Sequence, residues 1–157
     1  MIRKERERPT DFAWKVLAEA PYAVLSFSSG EGEAYGIPVS PVADPEYGVI
    51  YFHCAKTGKK MDFLKKNPHV CLTAVSQARS VPREFEMSFR SAVFTGTAEI
   101  VTDEGEKVKA MLLLCTHYDP NGMDRFDSVM DREFPAVCVV KITPQEITAK
   151  EAKVPEC

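Results

Sequence analysis

Residues Ile50 to Val75 read IYFHCAKTGKKMDFLKKNPHVCLTAV, and the periodicity of the chain changes twice within them. Val49 to Phe52 is β-branched and aromatic, the composition of a strand. Met61 and Leu64 then fall at helical spacing, and Asn67-Pro68 ends that helix, because proline has no N–H to donate and crowds the residue before it. A short basic loop joins the two. Lys59 and Lys60 stand at the helix start, where free backbone N–H groups and the positive end of the macrodipole disfavour cations and favour an anion. A bound phosphate would reverse that penalty. The pattern is equally that of two lysines on a solvated face, where most lysines lie.

Strand signals surround this core segment. Upstream, Thr10 to Ala20 reads as a helix with Thr10 or Asp11 as its cap, followed by a strand from Tyr22 to Ser28. The turns SSGEGE and DPEYG bracket a second strand, Ala34 to Val42, so that with Val49 to Cys54 a three-strand meander forms. Downstream, Val70 to Val75 is apolar on both faces, whereas Ser91 to Val101 alternates, with Ala92, Phe94, Gly96, Ala98 and Ile100 on one face. Asp103 and Glu106 have the spacing of a capping box. Val108, Met111, Leu112 and Cys115 give the expected buried stripe of a helix ending near His117. Ala136 to Ile142 and Glu146 to Lys150 supply the last strands. Six or seven short strands with few crossovers predict a mainly β (α+β) chain, an antiparallel split β-barrel with flanking helices.

Pro38 and Pro41 lie inside the second strand, AYGIPVSPVA, and proline cannot donate to a ladder. That strand must lie at an edge or be irregular there. The prolines then either blunt the edge against aggregation or leave backbone groups beside Gly36 free for a flat polar ligand.

Composition excludes several classes. The 157 residues suit one domain spanning the whole chain, and hydrophobic residues at 45% with charged residues at 27% are ordinary for a soluble globular protein. A net charge of −3 creates no field that would recruit nucleic acid. MIRKERERP has no apolar leader segment, and the aliphatic run Met111 to Leu114 is too short to span a bilayer, so a cytoplasmic protein away from membranes is expected. The five cysteines are odd in number and form no C-x-x-C pair; they read as small buried hydrophobes, with the terminal Cys157 an oxidisable thiol. His53 and Cys54 are the one close His/Cys pair, but neighbours on a strand point to opposite faces, which argues against a metal site and against a Cys-His hydrolase. Gly58-Lys59 is no Walker loop, since His53 stands where its first glycine belongs, and neither G-x-G-x-x-G nor G-x-S-x-G occurs. His117 reads as a helix C-terminal dipole partner.

YGIPVSPVA, the Ile50 to Val75 segment, FRSAVFTGTAEIV and the final ITAK, in that order, resemble the flavin mononucleotide-binding split-barrel proteins related to pyridoxamine 5'-phosphate oxidase. Within them the chain is most similar to the nitroimidazole-resistance (Nim-type) group. The resemblance implies that Thr57, Lys59 and Lys60 hold the FMN phosphate. It places Gly36, Ile37, Pro38 and Val39 along the isoalloxazine ring, with Phe52 and His53 beside it. Ser91 stands where the oxidase carries a glutamine. Also implied are a homodimer with flavin sites at the interface and an FMN-dependent oxidoreductase that reduces small acceptors such as nitroimidazoles and nitroaromatics. His53 then either orients substrate or donates a proton, or simply packs at the strand end. Related proteins imply two alternatives: haem or a deazaflavin as cofactor, with His53 an axial ligand in the haem case, or a non-catalytic flavin-binding module.

Overall fold

The computed structural model describes residues 2–152, so Cys157 lies outside the described residues. After a 3₁₀ turn and a two-residue strand β1 (Glu7–Arg8) come helix α1 (Thr10–Glu19) and strands β2 (Ala23–Ser28), β3 (Ala34–Val39), β4 (Val42–Asp44) and β5 (Val49–Ala55). Helix α2 (Lys59–Lys66) leads into the long hairpin of β6 (His69–Val81) and β7 (Glu86–Ile100). Helix α3 (Glu104–Tyr118), a 3₁₀ segment (Pro120–Arg125) and α4 (Phe126–Glu133) precede the last strand, β8 (Val137–Ala152).

All strands join one eight-stranded antiparallel sheet in the order β3-β2-β6-β7-β8-β5-β4, with β1 paired to β8. The edges are β3 and β4, yet only Ser40 and Pro41 separate them in sequence. Three virtual bonds reach at most about 11 Å. The sheet must therefore curl until its edges meet, which makes it a split barrel. The expected strand Ala34 to Val42 is accordingly broken at Ser40-Pro41, and its halves end one edge each instead of forming the middle of a flat meander.

The barrel interior is one apolar cluster. Leu25, Phe52, Leu72, Phe94 and Ile142 fill it, and α1 with Ala13, Val16 and Leu17 and α2 with Met61, Phe63 and Leu64 close over it. Outside β5, a second cluster joins Tyr51 and Val139 to Ala110, Met111 and Leu114 of α3 and Met130 of α4. Among the described residues no helix is long and apolar enough to cross a membrane.

Several local expectations shift. The α1 N-cap is Pro9, whose carbonyl accepts the Phe12 N–H at 3.1 Å, so Thr10 and Asp11 both lie inside the first turn. Asp103 does cap α3, accepting the Glu106 N–H at 2.7 Å, but Glu106 instead accepts from the Tyr51 hydroxyl and Lys141. The buried stripe of α3 is rotated: Ala110, Met111 and Leu114 face β4 and β5, while Val108 and Leu112 are each 45% exposed. Ile100 is exposed because β7 ends there, and Val75 is 42% exposed because only one face of β6 meets the core. The final two strands are one, β8, which passes Pro144 by a bulge opposite Gly96.

Candidate functional site

The segment Cys54 to Lys60 turns from β5 into α2 over Gly58, whose φ of 116° only glycine adopts without strain. The Gly58 carbonyl accepts from Met61 and Asp62, and no side chain caps the helix. The first N–H groups of α2, those of Lys59 and Lys60, thus stay available for an anion. The two lysines diverge. Lys59 Nζ lies 4.7 Å from the centre of the Tyr35 ring and 5.7 Å from that of Phe63, whereas Lys60 turns towards His53.

His53 faces the opposite side of β5 from Phe52, which is 2% exposed inside the barrel. His53 is exposed at the surface, yet partial desolvation by its neighbours and then the nearby Lys60 cation hold its pKa below the usual imidazole value, so it is neutral near physiological pH. The unfolded chain therefore takes up this proton first as pH falls. The contribution of His53 to stability is complete above the unfolded value of about 6.5 and is lost below it, down to the lowered folded value. Melting curves should show the wild type losing stability relative to His53→Gln between roughly pH 7.5 and 5.5. A constant difference across that range would mean an imidazole that titrates normally in the fold.

A cleft of about 400 Å³ forms where β3, β5 and the start of α2 meet, lined by Tyr22, Pro38, Val39, Ser40, His53 and Lys60. As an edge strand, β3 has neighbours only on the β2 side, so one row of its backbone polar groups has no strand partner. Of the residues expected to bind cofactor, Pro38, Val39, His53 and Lys60 line this cleft, and Gly36 lies farther along the same edge. Ile37 points inward and packs against the barrel core, as Phe52 does, so only their backbones can face a ligand. Thr57 is exposed in the loop before α2, and Lys59 lies against Tyr35. Ser91, opposite Val75 and Lys150 on β7, is three strands from β3 and does not reach the cleft within one chain.

Sequence reasoning missed Tyr22 and Ser40. Ser40 shares the parity of Gly36 and Pro38, a signal that was present in the motif. It also missed a second, mainly apolar cavity of about 440 Å³, open to solvent and lined by α3, the 3₁₀ segment and α4, which shares Ser40 and His53 with the cleft. The Tyr118 hydroxyl donates to the Pro41 carbonyl at 2.7 Å and so fixes the end of α3 against the β3–β4 bend.

Residues 9–151 match the family model described as pyridoxamine 5'-phosphate oxidase. The chain belongs to this family. A comparison with curated proteins finds no match. Solved structures share the fold. A candidate 5-nitroimidazole antibiotic resistance protein from Bacteroides thetaiotaomicron is 23% identical, with 91% of this chain and 84% of that one covered at a TM-score of 0.74. A flavocytochrome from Azotobacter vinelandii is 20% identical over 96% of this chain and 71% of that one, with a TM-score of 0.80. An FAD and heme binding protein from Mycobacterium smegmatis is 13% identical, covering 95% and 74%, with a TM-score of 0.79.

Proposed function

We propose that the chain binds flavin mononucleotide in the cleft between β3, β5 and α2, as a homodimer, and that the bound flavin reduces small acceptors such as nitroaromatics. One observation carries this: an uncapped helix start, the Lys60 cation, a neutral imidazole and an unpaired strand edge converge on one space of about 400 Å³. Those groups fit a phosphorylated planar heterocycle. Lys60 and the N–H groups of Lys59 and Lys60 would hold the phosphate, with Lys59 close by, and the Gly36 to Val39 edge would lie along the ring. When bound, the flavin supplies electron pairs to an acceptor. A nitro group taking two electrons and two protons becomes a nitroso group and releases water. His53, neutral, can donate its N–H to an acceptor oxygen and hold a proton there near neutral pH.

The dimer is supported by the uncovered outer sheet face, where Tyr22, Val24 and Val75 are exposed together with Met87 on the projecting hairpin. A second copy docking there would cover that apolar surface and could supply its Ser91 to the first copy's cleft.

The test is the visible spectrum of the purified protein, identification of the released cofactor, and light scattering. A yellow dimer releasing FMN is expected, one that bleaches on anaerobic reduction and recolours with a nitroaromatic. Haem bands would replace the proposal with a haem protein, and a reduced flavin unreactive towards every small oxidant would leave a non-catalytic binding module.

A further inference from the structure

Cys54 and Cys138 stand directly opposite each other in the β5–β8 ladder, and both side chains belong to the barrel core. Facing residues of an antiparallel pair have Cβ atoms about 4.5 to 5.5 Å apart, which lets their sulfurs turn towards one ion. A third sulfur comes from the helix that closes over them: Met61 Sδ on α2 lies 3.8 Å from Cys54 Sγ. We propose that Cys54, Cys138 and Met61 form a binding site for a soft monovalent metal ion, Cu(I), inside the barrel. The site does not rest on the flavin reading, since Cys54 points inward where its neighbour His53 points outward. Its partner in space is Cys138, which only the pairing of β5 with β8 brings there.

The donor set selects the ion. Thiolate and thioether ligands suit Cu(I), whereas imidazole and carboxylate ligands suit borderline or harder ions. Zn(II) takes four ligands in a tetrahedron, and among the described residues no group of three His, Cys, Asp or Glu side chains could hold an ion. Two cysteines and a methionine satisfy an ion that accepts three soft donors. In a trigonal plane, sulfurs each about 2.3 Å from the ion lie about 4 Å apart, close to the separation of Cys54 and Met61. The surroundings are dry: Cys54, Cys138 and Met61 are 9%, 6% and 1% exposed, and Phe52 and Val140 form the next inward pair along the ladder. With water excluded, a neutral thioether can serve as the third ligand. An entry path exists, because Cys138 and Met61 also line an open pocket of about 360 Å³ beside the end of β7 and the first turn of α3. Binding is a ligand exchange with no change of oxidation state. Cu(I) leaves its soluble carrier, two thiols release their protons to solvent, and two copper–thiolate bonds form. The product carries one net negative charge, and Lys60, which acts electrostatically on Cys54, and Lys56 on the pocket wall bring positive charge towards it.

The test is a competition titration of the purified full chain, reduced, freed of reductant and kept anaerobic, with Cu(I) supplied as its bicinchoninate complex. Copper passing to the protein is counted from the loss of the complex's colour. The wild type should take up one Cu(I) per chain. So should a variant carrying Cys71→Ala, Cys115→Ala and Cys157→Ala, which keeps only the two proposed thiols. X-ray absorption of the loaded protein should show three sulfur neighbours at about 2.3 Å. Cys54→Ala and Cys138→Ala should each weaken Cu(I) binding by more than about a hundredfold, beyond what the loss of an outer partner costs a metal site. Met61→Leu, which conserves volume, should weaken it by about tenfold and reduce the sulfur neighbours to two. Melting of each variant without copper identifies those that fold, and two cysteine variants keep the test standing if one does not. No copper uptake by the wild type overturns the site, as does nitrogen or oxygen coordination alone, or a folded cysteine variant that binds Cu(I) as the wild type does; the three sulfurs are then core packing. Unchanged binding by Met61→Leu overturns the third ligand, and Zn(II) held more tightly than Cu(I) overturns the choice of ion. A colourless protein that binds one Cu(I) supports this site while overturning the flavin proposal, and a flavoprotein that takes up no copper does the reverse.

Discussion

Replacing Lys59 and Lys60 together by alanine is expected to weaken FMN binding by on the order of a hundredfold or more, because charge-assisted bonds to phosphate are worth roughly 1.5 to 3 kcal/mol each. Riboflavin, which lacks the phosphate, should lose almost nothing. The single variants should not share the effect equally. Lys60 lines the cleft with His53, whereas Lys59 Nζ rests over Tyr35 and Phe63 and must leave those rings to reach an anion. Lys60→Ala therefore carries most of the loss. Stability without ligand should hardly change. Removing a cation from a helix start gains about 0.3 to 1 kcal/mol, and for Lys59 a lost cation–π contact of about 0.5 to 1 kcal/mol offsets that gain. Titration of the apoprotein with both flavins is the measurement. Equal losses for FMN and riboflavin would mean that the lysines act through the fold, and no loss for either would return them to a solvated face.

What could be read in advance was what the chain encodes locally. The strand, glycine and lysine pattern from Ile50 to Lys60 implied that His53 and Lys60 lie near each other, and they line one cleft because a turn of that length leaves its two ends adjacent. Pro38 and Pro41 announced an edge, and β3 and β4 are both edges. Inward or outward direction was legible wherever parity was applied, and it would have added Ser40 and sent Phe52 and Ile37 to the core. Contacts made by distant segments were not legible. The stripe of α3 could be drawn through Val108 or through Ala110 with the same periodicity, and only packing on β4 and β5 decides between them. Phe126, Val129 and Met130 do carry an i, i+3, i+4 signal, but it spans a single short helix between Gly122 and Pro135, so α4 and the cavity it walls went unread. The tip of the β6–β7 hairpin had no glycine to mark it: Arg83 and Phe85 take the positive φ values there.

Gly96→Ala should be among the most destabilising single-methyl changes in the molecule. A Cβ at this position would lie 2.1 Å from the Thr143 carbonyl oxygen, 2.9 Å from Pro144 Cα and 3.0 Å from Gln145 N. All three are backbone atoms of β8, so no rotamer change can relieve the clash. They come so close because the register shifts there: Thr95 pairs with Glu146 but Gly96 pairs with Pro144, which leaves Gln145 as the extra residue of a bulge. Either the bulge opens or β7 and β8 separate, and those strands form the centre of the sheet. Overpacking of this kind costs about 1 to 3 kcal/mol. For a chain of this size that lowers the melting temperature by roughly 2 to 12 °C. Gly36→Ala is the control. Its Cβ would meet only Ser26 Oγ at 3.7 Å and Val24 Cγ1 at 3.8 Å, ordinary contacts, so the fold should be unchanged or gain about 0.4 to 1 kcal/mol from the stiffer unfolded chain. Yet Gly36 lies on the edge proposed to face the flavin ring, so its methyl group should lower affinity for FMN and riboflavin alike. Melting and titration of the two variants would thus separate a glycine kept for the bulge from one kept for the ligand. Wild-type melting of Gly96→Ala would show that β8 can yield at Pro144, and wild-type affinity of Gly36→Ala would take the ring away from that edge.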